Sequence, residues 1–178
     1  MILTGPEIIK ELKAGRLHIS PFDESFIEPN SYGFRLSDEF IEYESEEVLD
    51  SKSPPNVRRF KISTDGYVLQ PNRFYLASTL ETIGSNHYAK TLHARFSVSS
   101  MGMWIQFSAP LGHTGAIIPW TLEITVANPL IVYPGMKIGK IAFWKNEGDL
   151  FIYDGKYKNS KTVIASRSYQ DFGSEIEK

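Results

Sequence analysis

Hydrophobic and polar positions change places in short runs along most of this chain. The runs "GYVL", "RFYLAST", "MWIQF", "WTLEITV", "LIVY" and "KIAFW" are rich in β-branched and aromatic residues, the composition of strands. Between them lie "EPNS", "SPPN", "TDG", "QPN", "ANP", "YPG" and "YDG", whose Pro, Gly, Asn and Asp favour turn geometry. Turns this frequent leave no room for long helices. Only the N-terminus carries a helical period, with Ile8, Ile9 and Leu12 as its apolar stripe. There Thr4 is the expected N-cap, Glu7 its capping-box partner, Pro6 belongs to the first turn and Gly15 is the stop. The pattern predicts a mainly β chain, a barrel or sandwich of many short strands behind one short helix. "ESEEVLDSKSPPNVRR" runs from acidic through Pro-rich to basic and reads as a long solvated loop. The final "SYQDFGSEIEK" reads as a loosely held polar tail.

One strand carries an unexpected charge. In "PWTLEITV" the two-residue period puts Trp120, Leu122, Ile124 and Val126 on one face and Thr121, Glu123 and Thr125 on the other. A carboxylate on so apolar a strand is either solvated or held in a polar pocket. The solvated case is the more common for such a pattern. Upstream, Arg95, Ser97, Ser99 and Ser100 crowd one guanidinium and three hydroxyls into six residues. Trp104, Trp120 and Phe107 are read as core.

Composition narrows the chemistry. A chain of 178 residues makes one domain and buries a real core. A formal charge of −2 argues against a nucleic-acid partner, which would need a basic face, and leaves small anionic ligands open. The absence of cysteine removes disulfides, thiolate catalysis and Cys-ligated zinc, including the Pro-Cys-x-x-Cys zinc site of the familiar nucleobase deaminases. His18, His87, His93 and His113 show no ligand-like spacing, so no protein metal site is expected. "SSMGM" lacks the G-x-x-x-x-G-K-[ST] frame of a phosphate loop. No run of about 20 apolar residues and no signal peptide is present, which predicts a soluble, cytoplasmic protein with no membrane partner.

Six stretches, in order, resemble one family. "MILTGPEIIKELKAGRLHISPF" is similar to the opening of the dCTP deaminases, and "IEPNSYGFRLSDEF" to their "DLRL" motif. "LQPNRFYLASTLETI" resembles their L-P-x-x-F-L-x-x-T-E strand, and "ARFSVSSMG" their Arg-Ser-Ser-Leu-x-Arg-x-Gly loop. "YPGMKIGKIAF" and "YDGKYKNSKTVIASR" resemble the PG hairpin and the C-terminal segment. The chain is identified as a member of the dCTP deaminase and dUTPase superfamily. That resemblance implies a distorted, dUTPase-like β-barrel over residues 1–170, a tail at 171–178, and a homotrimer with sites shared between subunits. It also implies zinc-independent deamination of dCTP to dUTP and ammonia, with magnesium accompanying the triphosphate.

By the same resemblance, Glu123 is the proton-handling glutamate, a role one carboxylate can fill by taking a proton from water and returning it to the base. Arg95 and Ser97 belong to the phosphate loop, where a guanidinium and a hydroxyl meet phosphate oxygens. Ala109 stands where backbone groups read the pyrimidine edge. Tyr153, Lys156 and Tyr157 fall in the segment that closes over the triphosphate, with Lys156 as its cation. Arg167 either packs the tail or reaches a phosphate.

The departures from the pattern leave three readings open. Phe96 stands for a loop serine, Ser100 for the water-holding arginine, Leu111 for an arginine, His113 for the aspartate of dUTP hydrolysis and Gly33 for the aspartate of "DLRL". In the first reading, a divergent deaminase rebuilds its water site from Ser99, Ser100 and His113, with Gln106 nearby. In the second, a dUTPase-like pyrophosphatase uses His113 as base. In the third, a non-catalytic relative binds a nucleotide or only assembles. His113 in "GHTG" is either a solvent-facing turn residue or a donor to substrate.

Overall fold

The turn residues cut the chain into short strands as the pattern predicts, and one helix precedes them. The computed structural model describes residues 1–44 and 48–173. It opens with helix α1 (Gly5–Lys13), followed by strands β1 (His18–Ser20), β2 (Ile27–Glu28), β3 (Ser31–Tyr43) and β4 (Val57–Lys61). Next come β5 (Tyr67–Leu69), β6 (Tyr75–Gly84), β7 (Tyr88–Ala94) and the single-turn helix α2 (Phe96–Ser99). Strands β8 (Met103–Trp104), β9 (Leu111–Gly112), β10 (Ile117–Val126), β11 (Leu130–Val132) and β12 (Lys137–Lys145) complete it.

Ten strands make one antiparallel sheet, whose main path runs β8-β10-β6-β3-β12-β7-β9 with β1 on β6 and β2 and β4 on β3. Strands β5 and β11 form a separate ribbon. The large sheet curls into a half-barrel around Tyr32, Phe34, Leu36, Tyr75, Leu122, Ile124, Ile141 and Phe143, all buried. Burying such apolar faces is the main drive for the fold.

The period of β10 holds: Leu122, Ile124 and Val126 are buried, and Thr121, Glu123 and Thr125 are not. Trp120 is only partly buried. Between the pairs Pro119↔Thr82 and Thr121↔Ser78 the register shifts, so β6 carries extra residues opposite Trp120. Its backbone N–H donates to Thr79 Oγ1 at 2.8 Å and its indole N–H to the Ile83 carbonyl at 2.9 Å. Trp104 and Phe107 depart further from the expected core, being 50% and 52% exposed. Strand β8 has two residues and lies at the end of the sheet, where no neighbour covers its outer face.

Three local expectations change. Thr4 occupies the N-cap of α1 but its side chain caps nothing: Pro6, at the second helical position, has no N–H to offer it, and the Gly5 N–H goes to the Pro29 carbonyl at 2.9 Å. Glu7 pairs instead with Lys10 Nζ at 3.1 Å. The basic end of the expected loop is strand β4, drawn into the sheet beside β3, where Arg58 meets Glu42. Residues 48–54 remain exposed, while 45–47 lie outside the described residues. The tail begins with a 3₁₀ turn, Ser168–Asp171, whose Ser168 hydroxyl donates to the Ser51 carbonyl at 3.0 Å; residues 174–178 lie outside the description.

Helix α1 is fastened by its own carboxylate. Glu11, 2% exposed, accepts two bonds from Arg16, at 2.5 and 2.6 Å, and one from the Tyr88 hydroxyl at 2.7 Å. The Arg16 guanidinium lowers its pKa to about 2. Glu11→Gln should lower stability at pH 7 by about 1.5–3 kcal/mol, the range for hydrogen bonds to charged groups. Because the folded pKa lies below the unfolded value of about 4.3, this contribution is complete above that value and lost as pH falls toward about 2. Urea titrations should therefore show the gap between wild type and variant closing from pH 5 down to 2.

Candidate functional site

Strand β10 is held on both flanks, with Glu123 opposite Leu76 of β6 and Thr125 opposite Trp104 of β8. The Glu123 backbone N–H donates to the Ile105 carbonyl at 3.0 Å. Its side chain leaves the sheet on the face away from the core, where the Phe107 N–H donates to Oε2 at 2.9 Å. That one bond fixes the direction of the carboxylate and leaves Oε1 without a hydrogen bond among the described residues.

The carboxylate faces a cavity of about 560 Å³. Leu76, Ile118 and Trp120 floor it, and Phe74 and Tyr43 stand at one side, stacked at 6.3 Å between ring centroids. Among the described residues Glu123 is its one carboxylate, and no Lys or Arg lines it. Hydroxyls come from Thr121, Tyr153, Tyr157, Ser160 and Ser166. An apolar pocket with a few convergent polar groups has the make-up of a small-molecule site.

Five of the residues singled out in the sequence meet here: Glu123, Ala109, His113, Tyr153 and Tyr157. His113 sits in a tight turn, closed by the Ala116 N–H donating to the His113 carbonyl at 3.1 Å, with Gly115 at φ +97°. A positive φ of this kind suits glycine. The imidazole is exposed yet ordered, stacked on Tyr153 at 5.6 Å and 19°. The Tyr153 N–H donates to the Thr114 carbonyl at 2.8 Å, which ties the C-terminal segment to this turn. That segment then crosses the cavity, with the Ile164 N–H on Thr121 Oγ1 at 3.2 Å and the Ser166 N–H on the Tyr43 hydroxyl at 3.1 Å.

The others lie elsewhere. Lys156 pairs with Asp171 at 2.5 Å, and that carboxylate raises its pKa. The Arg167 guanidinium donates to the Lys156 carbonyl, and its backbone N–H to the Tyr157 hydroxyl, so in this structure it packs the tail. Arg95 is the N-cap of α2, and Ser97, Ser99 and Ser100 are exposed along it. None of these four lines the Glu123 cavity of the same chain. Arg95 Nη1 donates to Glu28 Oε1 at 3.0 Å and lies 3.6 Å from where a side chain on Gly33 would begin. Its carboxylate partner thus comes from residue 28 rather than 33, an ion pair across 67 residues that no local motif announces.

Lys90 was passed over and is fully buried beside the cavity. The signal was available: in "YAKTLHA" the two-residue period puts Lys90 on one face with Tyr88 and Leu92, both buried. The described residues hold no group of three or more His, Asp or Glu arranged to bind a metal ion.

Comparison with known proteins gives this geometry a context. A family model described as dCTP deaminase-like matches residues 2–146. A dUMP-forming dCTP deaminase of Leptospira biflexa is 39% identical over 173 residues, covering 97% of this chain and 98% of its own. One of the same description from Clostridium beijerinckii is 38% identical over 173 residues, covering 97% and 99%. Among solved structures, a 2′-deoxycytidine 5′-triphosphate deaminase from Agrobacterium tumefaciens superposes with a TM-score of 0.64 at 16% identity. The match covers 82% of this chain and 48% of that one, and it shows a common fold.

Proposed function

Because the chain belongs to the dCTP deaminase-like family, we propose that it hydrolyses the 4-amino group of dCTP with Glu123 as the proton-handling carboxylate. The observation that carries this reading is a single, directionally fixed carboxylate in a cavity of nucleotide size. Water adds to C4 of the cytosine while Glu123 takes its proton and delivers it to N3. The same carboxylate then carries a proton to the 4-amino group, the C4–N bond breaks, and ammonia leaves as the C4 carbonyl forms. The sum is dCTP plus water giving dUTP plus ammonia. Ala109, on the cavity wall, is placed to present backbone groups to the base edge.

A cavity without Lys or Arg does not by itself hold a triphosphate. This supports a homotrimer in which Arg95, Ser97, Ser99 and Ser100 of one subunit face the Glu123 cavity of the next. Lys156 would exchange Asp171 for phosphate oxygens as the nucleotide enters. Magnesium enters the proposal as the counter-ion of the triphosphate, with phosphate oxygens as ligands. A cytoplasmic setting is part of this proposal because its substrate is a deoxynucleotide. No helix among the described residues is long and apolar enough to cross a membrane.

The test is incubation with magnesium and, separately, dCTP, dUTP, dCMP or CTP, reading ammonia and resolving dUTP from dUMP. Ammonia and a uracil nucleotide from dCTP support the reading. If dUMP and pyrophosphate accompany the ammonia, a second hydrolysis follows in the same protein, as the names of its relatives describe. Pyrophosphate from dUTP with no ammonia from dCTP replaces the reading with a pyrophosphatase, and tight binding without turnover replaces it with a nucleotide-binding homologue. Arg95→Ala is expected to raise KM for dCTP by about 10- to 100-fold, the worth of one or two charge-assisted bonds, in steady-state assays.

A further inference from the structure

We propose that Lys90 is a positioning residue for the Glu123 cavity, holding the Ala116 carbonyl and the Trp120 ring from beneath so that the His113 turn and β10 keep one relative placement. Lys90 Nζ donates to the Ala116 carbonyl at 2.7 Å and stands 5.3 Å from the centroid of the Trp120 ring. Ala116 and Trp120 both line the cavity. Ala116 closes the turn that carries His113, and Trp120 lies three residues before Glu123 on the same strand. One ammonium therefore grips the two pieces of chain whose spacing sets the width of the pocket.

The sequence makes room for it. Lys90 pairs across the sheet with Gly112, where a side chain would begin 2.7 Å from Lys90 Cγ and 2.6 Å from Trp120 Cη2. Gly112 leaves the channel through which the lysine reaches Ala116. Among the described residues the head group has no counter-ion to explain its burial. Of the titratable residues on the elements around it, Tyr88 bonds Glu11, and His93, His113, Glu123, Lys137, Lys140 and Lys145 make no hydrogen bond or ion pair with it. Burial alone brings its pKa down from 10.5 to about 7. A methionine would fill the same channel without that cost, so what Lys90 adds is its grip on a carbonyl and a ring face, both stronger when the amine is charged.

The reporter is Trp120 itself, in a Trp104→Phe/Trp144→Phe background that leaves it the sole tryptophan. Its fluorescence should follow a single titration with a midpoint within about one unit of 7, absent after Lys90→Met. With dCTP, Lys90→Met should lower kcat about 10- to 100-fold, as a small misplacement does, with KM within about twofold and the pH profile stripped of its inflection near 7. The folded pKa lies below the unfolded value of about 10.4, so wild type binds fewer protons than its unfolded chain between these values. Its melting temperature relative to Lys90→Met should rise from pH 7 to 10. Trp120 emission that is the same in the Lys90 and Lys90→Met proteins at every pH overturns the proposal, since an ammonium 5.3 Å from the ring centroid must register there. Wild-type kcat and pH profile in Lys90→Met overturn it as well. The activity arm rests on dCTP deamination; the fluorescence and melting arms do not, so a chain inert toward dCTP leaves them decisive.

Discussion

Glu123→Gln is expected to lower kcat for dCTP by about 10²- to 10⁴-fold, the usual worth of a positioned general acid–base, while the protein stays folded and still binds nucleotide. Glutamine keeps a carbonyl oxygen to accept the Phe107 N–H, so the side chain holds its direction. Strand β10 keeps its pairing on both flanks, since only backbone groups make it. What is lost is the capacity to take a proton from water and return it to the base. Ammonia release should therefore collapse while the melting temperature and the affinity for dCTP, read by titration calorimetry, stay near wild type. Retained kcat would remove Glu123 from the chemistry and pass the proton-handling role to another group of the cavity, His113 first.

Gly84→Ala is expected to be the most disruptive conservative change. Gly84 ends β6, paired with His18 of β1 on one side and Ile117 of β10 on the other. A methyl there would stand 2.1 Å from the Ala116 carbonyl oxygen and 2.5 Å from Ile117 Cα. Both are backbone atoms, so no rotamer change relieves the clash and the strands themselves must part. The expected loss is about 3 kcal/mol or more, a fall of roughly 6–12 °C in melting temperature for a domain of this size. Because the displaced carbonyl is the one Lys90 holds, kcat should fall even at temperatures where the variant remains folded. A variant that melts within about 2 °C of wild type would show that β6 and β10 have slack the pairing does not suggest.

Period and turn chemistry carried most of the fold. The faces of β10 and the boundaries of α1 follow from side-chain spacing and from Pro6 and Gly15, because those effects are local. The capping box failed locally, since Pro6 carries no N–H and Glu7 turns to Lys10 rather than back to Thr4. Trp104 and Phe107 were read as core because aromatic residues in strands usually are, yet Trp104 lies in a two-residue edge strand and Phe107 follows it outside any strand, tilted against Phe74 at the surface. The candidate site was half legible. Glu123, Ala109, His113, Tyr153 and Tyr157 converge on one cavity from three separate stretches, a grouping suggested by resemblance rather than by spacing. The Arg95–Glu28 pair and the Lys90–Ala116 bond join residues 67 and 26 positions apart, and only the sheet's path brings them together. Lys90 alone left a trace in the pattern, as a charge on the buried face of β7.

The cavity has two kinds of wall, and they come from separate parts of the chain. The match to the family model ends at residue 146, but the similarity to the dUMP-forming deaminases runs over 173 residues. Tyr153, Tyr157, Ser160, Ile164, Ala165 and Ser166, which all line the pocket, therefore lie within what those relatives share. The sheet supplies the carboxylate and the floor, while the outer wall belongs to a segment fastened onto that sheet by Val163, buried with Ile41 and Leu76, and by the Ile164 N–H on Thr121. The proton-handling carboxylate and the outer wall that meets a nucleotide are thus built by different stretches, so a substitution in the wall can change binding without moving the carboxylate.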